Sequence, residues 1–154
     1  MNKILKIIGI ILVIIILIIV AAYYFLWLPG TKISKEGKLF AESTSKEISI
    51  NWDVNNLKKY SDSQLILEID RDPQTTERIF KTFRDRLGSI QTLYLKEQGV
   101  SFNTDTQRGK YVLANYQGDV VFEKGNGTVS IRLIKINNEW RILNFKINSN
   151  NLIP

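Results

Sequence analysis

The side chains whose types and spacing could do chemistry in this chain are mostly cations carried on helical segments. Lys32, Lys35, Lys38 and Lys46 share one side of an amphipathic segment with Glu42 and Ser49. Such a face is either solvated or a contact for anionic lipid headgroups, which attract juxtamembrane lysines by about 1 kcal/mol each. Arg78, Lys81 and Arg84, with Arg71 just ahead, form a second basic cluster able to bind an acidic partner. Glu77 and Asp85 are interleaved with them, which is the pattern of a solvated helix.

The residue types that are missing narrow the chemistry further. No cysteine or histidine occurs among the 154 residues. Thiol nucleophiles, disulfides, thiolate metal sites and the usual base of hydrolase triads are therefore excluded. No glycine-rich phosphate loop, clustered carboxylate site or paired metal-ligand motif is present, so neither metal nor cofactor is implied. The net charge is +6, from 21 basic and 15 acidic residues. It is too mild and too dispersed for a nucleic-acid surface.

These groups are positioned by an apolar run from Ile7 to Leu28, 22 residues without a charge. As a helix it is roughly 33 Å long, enough for a hydrocarbon core of about 30 Å. Tyr23, Tyr24, Phe25 and Trp27 mark its exit at the headgroup layer, and Pro29 with Gly30 is expected to end the helix. Lys3 and Lys6 with the core from Ile7 to Val20 would also suit a cleaved secretory signal, Val20, Ala21 and Ala22 being its cleavage site. The run continues past the length of a signal core, which favours a retained anchor. Lysines lie on both sides of the span, so the charge rule does not decide cleanly. The two ahead of it are the pattern of a signal anchor, with the short tail in the cytoplasm and the rest outside; the inverted topology is the alternative.

Residues 31–154 suffice for one domain with a single core. Ile33, Gly37, Phe40, Ala41, Thr44 and Ile48 form the apolar stripe of a first helix, with Leu39 and Ile50 left on its polar side. Ser61 and Asp62 are capping candidates for a helix over 63–69, and Asp72 before Pro73 is a stronger N-cap signal for one over 73–87. Ile79, Phe80, Phe83 and Leu87 are the expected buried stripe of the last helix, and Gly88 its terminator. From there β-branched and aromatic residues predict strands over 89–102, 110–123, 128–137 and 139–149. Gly125, Asn126 and Gly127 are expected to make one hairpin turn and Asn137 with Asn138 another. Trp140 should anchor the last strand against the first helix. Three helices followed by a curved four-stranded antiparallel meander define an α+β domain.

Gly109, Tyr111, Val112, Tyr116, Phe122 and Gly125, followed by Trp140, Arg141, Ile142, Phe145 and Ile147, resemble the C-terminal half of cystatin-like domains of the nuclear transport factor 2-like superfamily. The nearest kin are small bacterial exported domains, and the resemblance covers roughly residues 35 to 150. Trp52 and the Leu87–Gly88 pair agree with it. It implies a cavity between helices and concave sheet, where proton-transfer members hold an aspartate base and phenolic donors. Asp119, Tyr116, Tyr111 and Tyr60 are the components available for such enol chemistry, with ordinary strand packing as the plain alternative. Asn115 and Arg132 are candidates for the cavity mouth, or solvent-facing strand positions.

The sequence reading is thus a non-catalytic binding or assembly domain, anchored in a bacterial cytoplasmic membrane by a single pass and acting at its outer surface. Its expected contacts are membrane lipid and a protein of an envelope complex, with no nucleic acid and with self-association allowed. A carrier or sensor of a small apolar molecule is the alternative, and an isomerase or dehydratase using Asp119 a more distant one.

Overall fold

The computed structural model describes residues 2–152. The chain divides into two compact units, Met1–Lys35 and Glu36–Pro154.

The first unit is helical. Helix α1 covers Asn2–Ala22 and is followed by a π-helical turn at Tyr23–Trp27. Helix α2 begins at Leu28 and runs to Asn51, so Pro29 and Gly30 do not end the helical run as expected. The proline lies directly after the π-helical turn, whose i→i+5 pattern lets a residue without an amide proton sit inside a continuous helical run. The helical run Ile11–Asn51 contains a segment long and apolar enough to cross a membrane, and none of that segment is buried. Tyr23, Tyr24 and Phe25 are exposed, whereas the side chains of Lys3, Lys6, Ile7, Trp27, Leu28 and Pro29 lie outside the described residues.

The second unit is α+β, with four helices and a four-stranded antiparallel sheet. After α2 come α3 (Val54–Tyr60), α4 (Ser63–Arg71) and α5 (Pro73–Arg86). Helix α3 is the addition to the three expected. Asn55 and Asn56 are weak helix formers, but Asp53 caps the helix by accepting from the Asn55 amide at 2.8 Å, and Leu57 is drawn into the core. Asp62 and Asp72 cap α4 and α5 as their sequence positions indicate, accepting from the amides of Gln64 and Thr75.

Strands β1 (Ile90–Asp105), β2 (Gly109–Phe122), β3 (Gly125–Ile136) and β4 (Glu139–Asn148) pair in sequence order. A register shift between Glu97 and Gly99 marks a bulge in β1, and a second between Arg132 and Leu133 interrupts the β3–β4 ladder. Bulges of this kind bend a sheet. The β3–β4 turn is made by Asn137 and Asn138, both at positive φ (50° and 66°), as type I′ geometry requires. The β2–β3 turn is corrected, because Gly125, Asn126 and Gly127 already pair with Phe122, Val121 and Val120. The turn therefore falls on Glu123 and Lys124. Gly127 is needed for close approach, since a side chain there would run into the Asn148 carbonyl.

One core joins the helices to the inward face of the sheet through Ala41, Ile48, Trp52, Leu57, Ile69 and Phe80 on the helical side. Leu95, Tyr116, Ile131 and Leu133 answer from the strands, none more than 1% exposed. Gly37 lets α2 press against the Tyr116 hydroxyl and the Trp140 ring. The free edges are blunted. Ser49 Oγ accepts from the Ile90 amide at 3.0 Å on β1, and the Asp62 amide donates to the Ile142 carbonyl at 2.9 Å on β4. Ser49, expected on the wet side of α2, is thus fully buried, and Ile79 of α5, expected inside, is 44% exposed.

Candidate functional site

The residues singled out from the sequence as cavity candidates are distributed over different surfaces. Tyr116 is buried in the core, inward from β2. Asp119, three positions on, points to the other side of the same strand and is exposed, level with Tyr94 and Thr128 on the neighbouring strands. Asn115 and Arg132 are exposed cross-strand partners on that outer side. Arg132 and Tyr111 line a groove of about 290 Å³ with Gln64, Glu68 and Arg108. Tyr60 stands apart on α3, where its hydroxyl donates to Glu47 Oε2 at 2.6 Å.

That last contact belongs to a brace between α2 and α3. Lys59 Nζ donates to the other Glu47 oxygen at 3.1 Å and lies 4.7 Å from the Tyr60 ring centre. The Tyr60 hydroxyl, then Lys59, hold the Glu47 carboxyl below the usual carboxylate range. Tyr60 and Glu47 in turn raise Lys59. Such a cluster is satisfied within itself and fixes the angle between two helices.

The basic residues near the start of the domain also divide. Lys32 and Lys35 are exposed in the first unit, and Lys46 is exposed in the second. Lys38 reaches Glu42 at 3.8 Å and sits 5.0 Å from the Tyr94 ring centre, so it is held to the domain surface. Among the described residues no group of three or more carboxylates stands close enough to hold a metal ion.

A second groove, of about 800 Å³, lies among the end of α2, helix α3 and helix α5. Its construction follows from Trp52. This residue ends α2 in the left-handed region (φ 46°), a conformation costly for a bulky side chain. The indole offsets that cost by filling the core against Phe80 and Phe83, at centroid distances of 5.7 and 5.0 Å, and by donating from Nε1 to the Gly88 carbonyl at 2.8 Å. The reversal at Trp52 turns α3 away from the line of α2 and opens the groove.

Arg84 of α5 closes the free end of α2, donating from Nε to the Asn51 carbonyl at 3.0 Å and from Nη2 to the Trp52 carbonyl at 3.3 Å. Cationic groups are favourable at a helix C-terminus, so Arg84 has a structural task. Lys58 is paired with Asp70 at 2.6 Å. Arg78 donates to the Thr75 hydroxyl at 3.0 Å and has no carboxylate within ion-pair distance among the described residues, nor does Lys81. Between these cations lie Ile50, Val54 and Phe80, and the groove's carboxylates are Asp53 and Glu77. Arg71 is not part of the lining.

The cations of α5 were visible in the sequence, but Ile50, Val54 and Lys58 were not recognisable as their partners. The signal was Ile50 itself, out of place on the polar side of α2 and 65% exposed in the fold. Comparison with protein-family models, with characterised proteins and with solved structures finds no match. The groove's chemistry is therefore read from its own residues.

Proposed function

We propose that this chain is a membrane-anchored, non-catalytic binding domain that holds a protein partner beside the bilayer through its outer surface. The supporting observation is that the centre of the sheet's inward face is packed, with the groove lined by Gln64, Glu68, Tyr111 and Arg132 lying beside that core. A ligand-sized cavity would leave accessible surface on the side chains around it, yet Leu95, Ala114, Tyr116, Ile131 and Leu133 are at most 1% exposed. Exposed apolar side chains stand singly outside, at Leu39, Ile50, Leu67 and Phe102, each more than 60% exposed. A carrier of small apolar molecules needs the opposite arrangement.

The order of helices followed by a four-stranded meander supports a cystatin-like domain of the nuclear transport factor 2-like kind, with its family cavity closed by Trp52 and Tyr116. Asp119 lies on the exposed side of β2, away from Tyr116, which supports a role without proton transfer. The long apolar helix supports single-pass anchoring, and the lysines ahead of it, Lys3 and Lys6, favour a bacterial cytoplasmic membrane with the domain on the extracytoplasmic side.

The test is chemical crosslinking of the full chain in its native membrane, followed by purification and mass spectrometry. A reproducible set of envelope proteins is the expected result. Recovery of the chain alone, or of a stoichiometric small molecule in its place, would refute the reading.

A further inference from the structure

We infer that the groove at the reversal of α2 into α3 is the docking site, and that its occupant is an acidic amphipathic segment of a protein. The inference rests on the reading of this chain as a binding domain, and it names the surface and the partner's chemistry.

Three features select that occupant. The first is charge. With Asp70 paired to Lys58, the groove sets Lys58, Arg78, Lys81 and Arg84 against Asp53, Glu77 and Asp70, an excess of one positive charge that a carboxylate-bearing segment would meet. The second is availability. Lys58 is committed to Asp70 and Arg84 to the end of α2, whereas Lys81 and Arg78 face solvent on α5, Arg78 held by the Thr75 hydroxyl and near the Asp72 charge, and neither has a carboxylate within ion-pair distance among the described residues. They lie three positions apart on one helix, the spacing at which two side chains reach the same ligand. The third is shape. Ile50 and Val54, with Phe80 beneath, supply apolar surface inside the recess, which suits an aliphatic or aromatic side chain projecting from the partner.

The same features weigh against the other sources of negative charge. A lipid surface is too flat to enter a recess between helices. Nucleic acid would bring a phosphate backbone against Asp53 and Glu77, and the groove lacks the exposed aromatic platforms on which bases stack. A peptide can place its carboxylates beside Arg78 and Lys81 and its apolar side chain against Ile50.

The test uses the full chain in nanodiscs as bait for a displayed library of random peptides, with the selected peptides then synthesised and measured by fluorescence anisotropy. The expected peptides are rich in Asp and Glu around one or two apolar residues. Their Kd should weaken roughly tenfold or more in the double variant Arg78→Glu, Lys81→Glu. It should also weaken several-fold between about 0.05 M and about 0.3 M salt. Ile50→Asp should weaken binding as well. Both charge positions are exposed, so the double variant should keep the wild-type circular dichroism and melting temperature, and that is checked alongside.

Selected peptides without acidic enrichment, or a Kd unchanged by the charge reversal, would overturn the inference. So would a charge reversal that released anionic vesicles while leaving peptides bound. Crosslinking the double variant in native membranes separates the two levels. Envelope partners still captured by Arg78→Glu, Lys81→Glu would sink the groove and leave the binding-domain reading standing, whereas a wild-type chain that captures none would sink that reading itself.

Discussion

Replacing Trp52 by alanine tests how the domain is held together and how its groove is formed. The side chain is 1% exposed and packs against Phe80, Phe83 and Phe122. Truncating a buried aromatic to alanine costs about 3 to 5 kcal/mol, because the lost transfer energy is joined by the cavity left behind. Removing the indole also strips the Gly88 carbonyl of its donor, at roughly 1 kcal/mol. Alanine keeps the unfavourable left-handed backbone at this position, so no strain is recovered in return.

A loss of about 4 to 6 kcal/mol is a large fraction of the stability of an ordinary domain, which is about 5 to 15 kcal/mol. Trp52→Phe keeps part of the ring packing but loses the hydrogen bond and some buried volume, and should cost only about 2 to 3 kcal/mol. Urea denaturation of both variants in nanodiscs, followed by near-ultraviolet circular dichroism, measures the difference. A Trp52→Ala domain within about 1 kcal/mol of wild type, or one no weaker than Trp52→Phe, would refute this account of the core.

Three further outcomes follow from single contacts. Gly118→Ala should destabilise the domain by roughly 1 to 3 kcal/mol, because a Cβ there would collide with the Tyr94 backbone carbonyl across the β1–β2 pair; thermal melting of the variant measures it. Asp119→Asn should change stability by no more than about 0.5 kcal/mol and leave partner capture intact, since the carboxylate is exposed on the outer side of β2. Glu123 is held below its ordinary value of 4.5 chiefly by the Ser89 amide and then by its hydroxyl. The folded state therefore binds that proton less readily than the unfolded state, and the contribution is complete above 4.5 and lost as pH falls below it. The gap in melting temperature between wild type and Glu123→Gln should accordingly be widest near about pH 7 and close towards about pH 3.

How far the fold could be read from sequence depended on whether a local signal or a distant contact decided each element. The caps at Asp62 and Asp72, the alternation of Val129, Ile131 and Leu133, and the Asn137–Asn138 turn are local, and the fold keeps all of them. Helix α3 is not local, because Asn55 and Asn56 argue against it and only the burial of Leu57 and the Asp53 cap secure it. Gly125 and Gly127 looked like turn residues by type. Both belong to β3, and Gly127 is held to glycine by the Asn148 carbonyl beside it, a fact that lies in the tertiary structure.

Ser45 and Ser49 carried no apolar signal, yet both are fully buried. Ser45 Oγ donates to the Ala41 carbonyl at 2.6 Å, and Ser49 Oγ bonds the Lys46 carbonyl at 2.8 Å as well as the first amide of the sheet. The site divides in the same way. Arg78, Lys81 and Arg84 were legible as a basic cluster, but the groove they border depends on the backbone reversal at Trp52, which propensity disfavours for such a residue. Asp119 and Tyr116, grouped by resemblance, are separated by the period of the strand itself.

The most direct measurement of the central claim is site-specific photocrosslinking of the full chain in native membranes. A photoreactive amino acid is placed in turn at Lys81 beside the groove, at Lys146 on the sheet, and at Asp119 on β2. The account predicts a discrete protein adduct from position 81 and none from 146 or 119. An adduct-free chain at all three positions, or one adduct of equal yield from each, would contradict a binding domain that works through a defined outer surface.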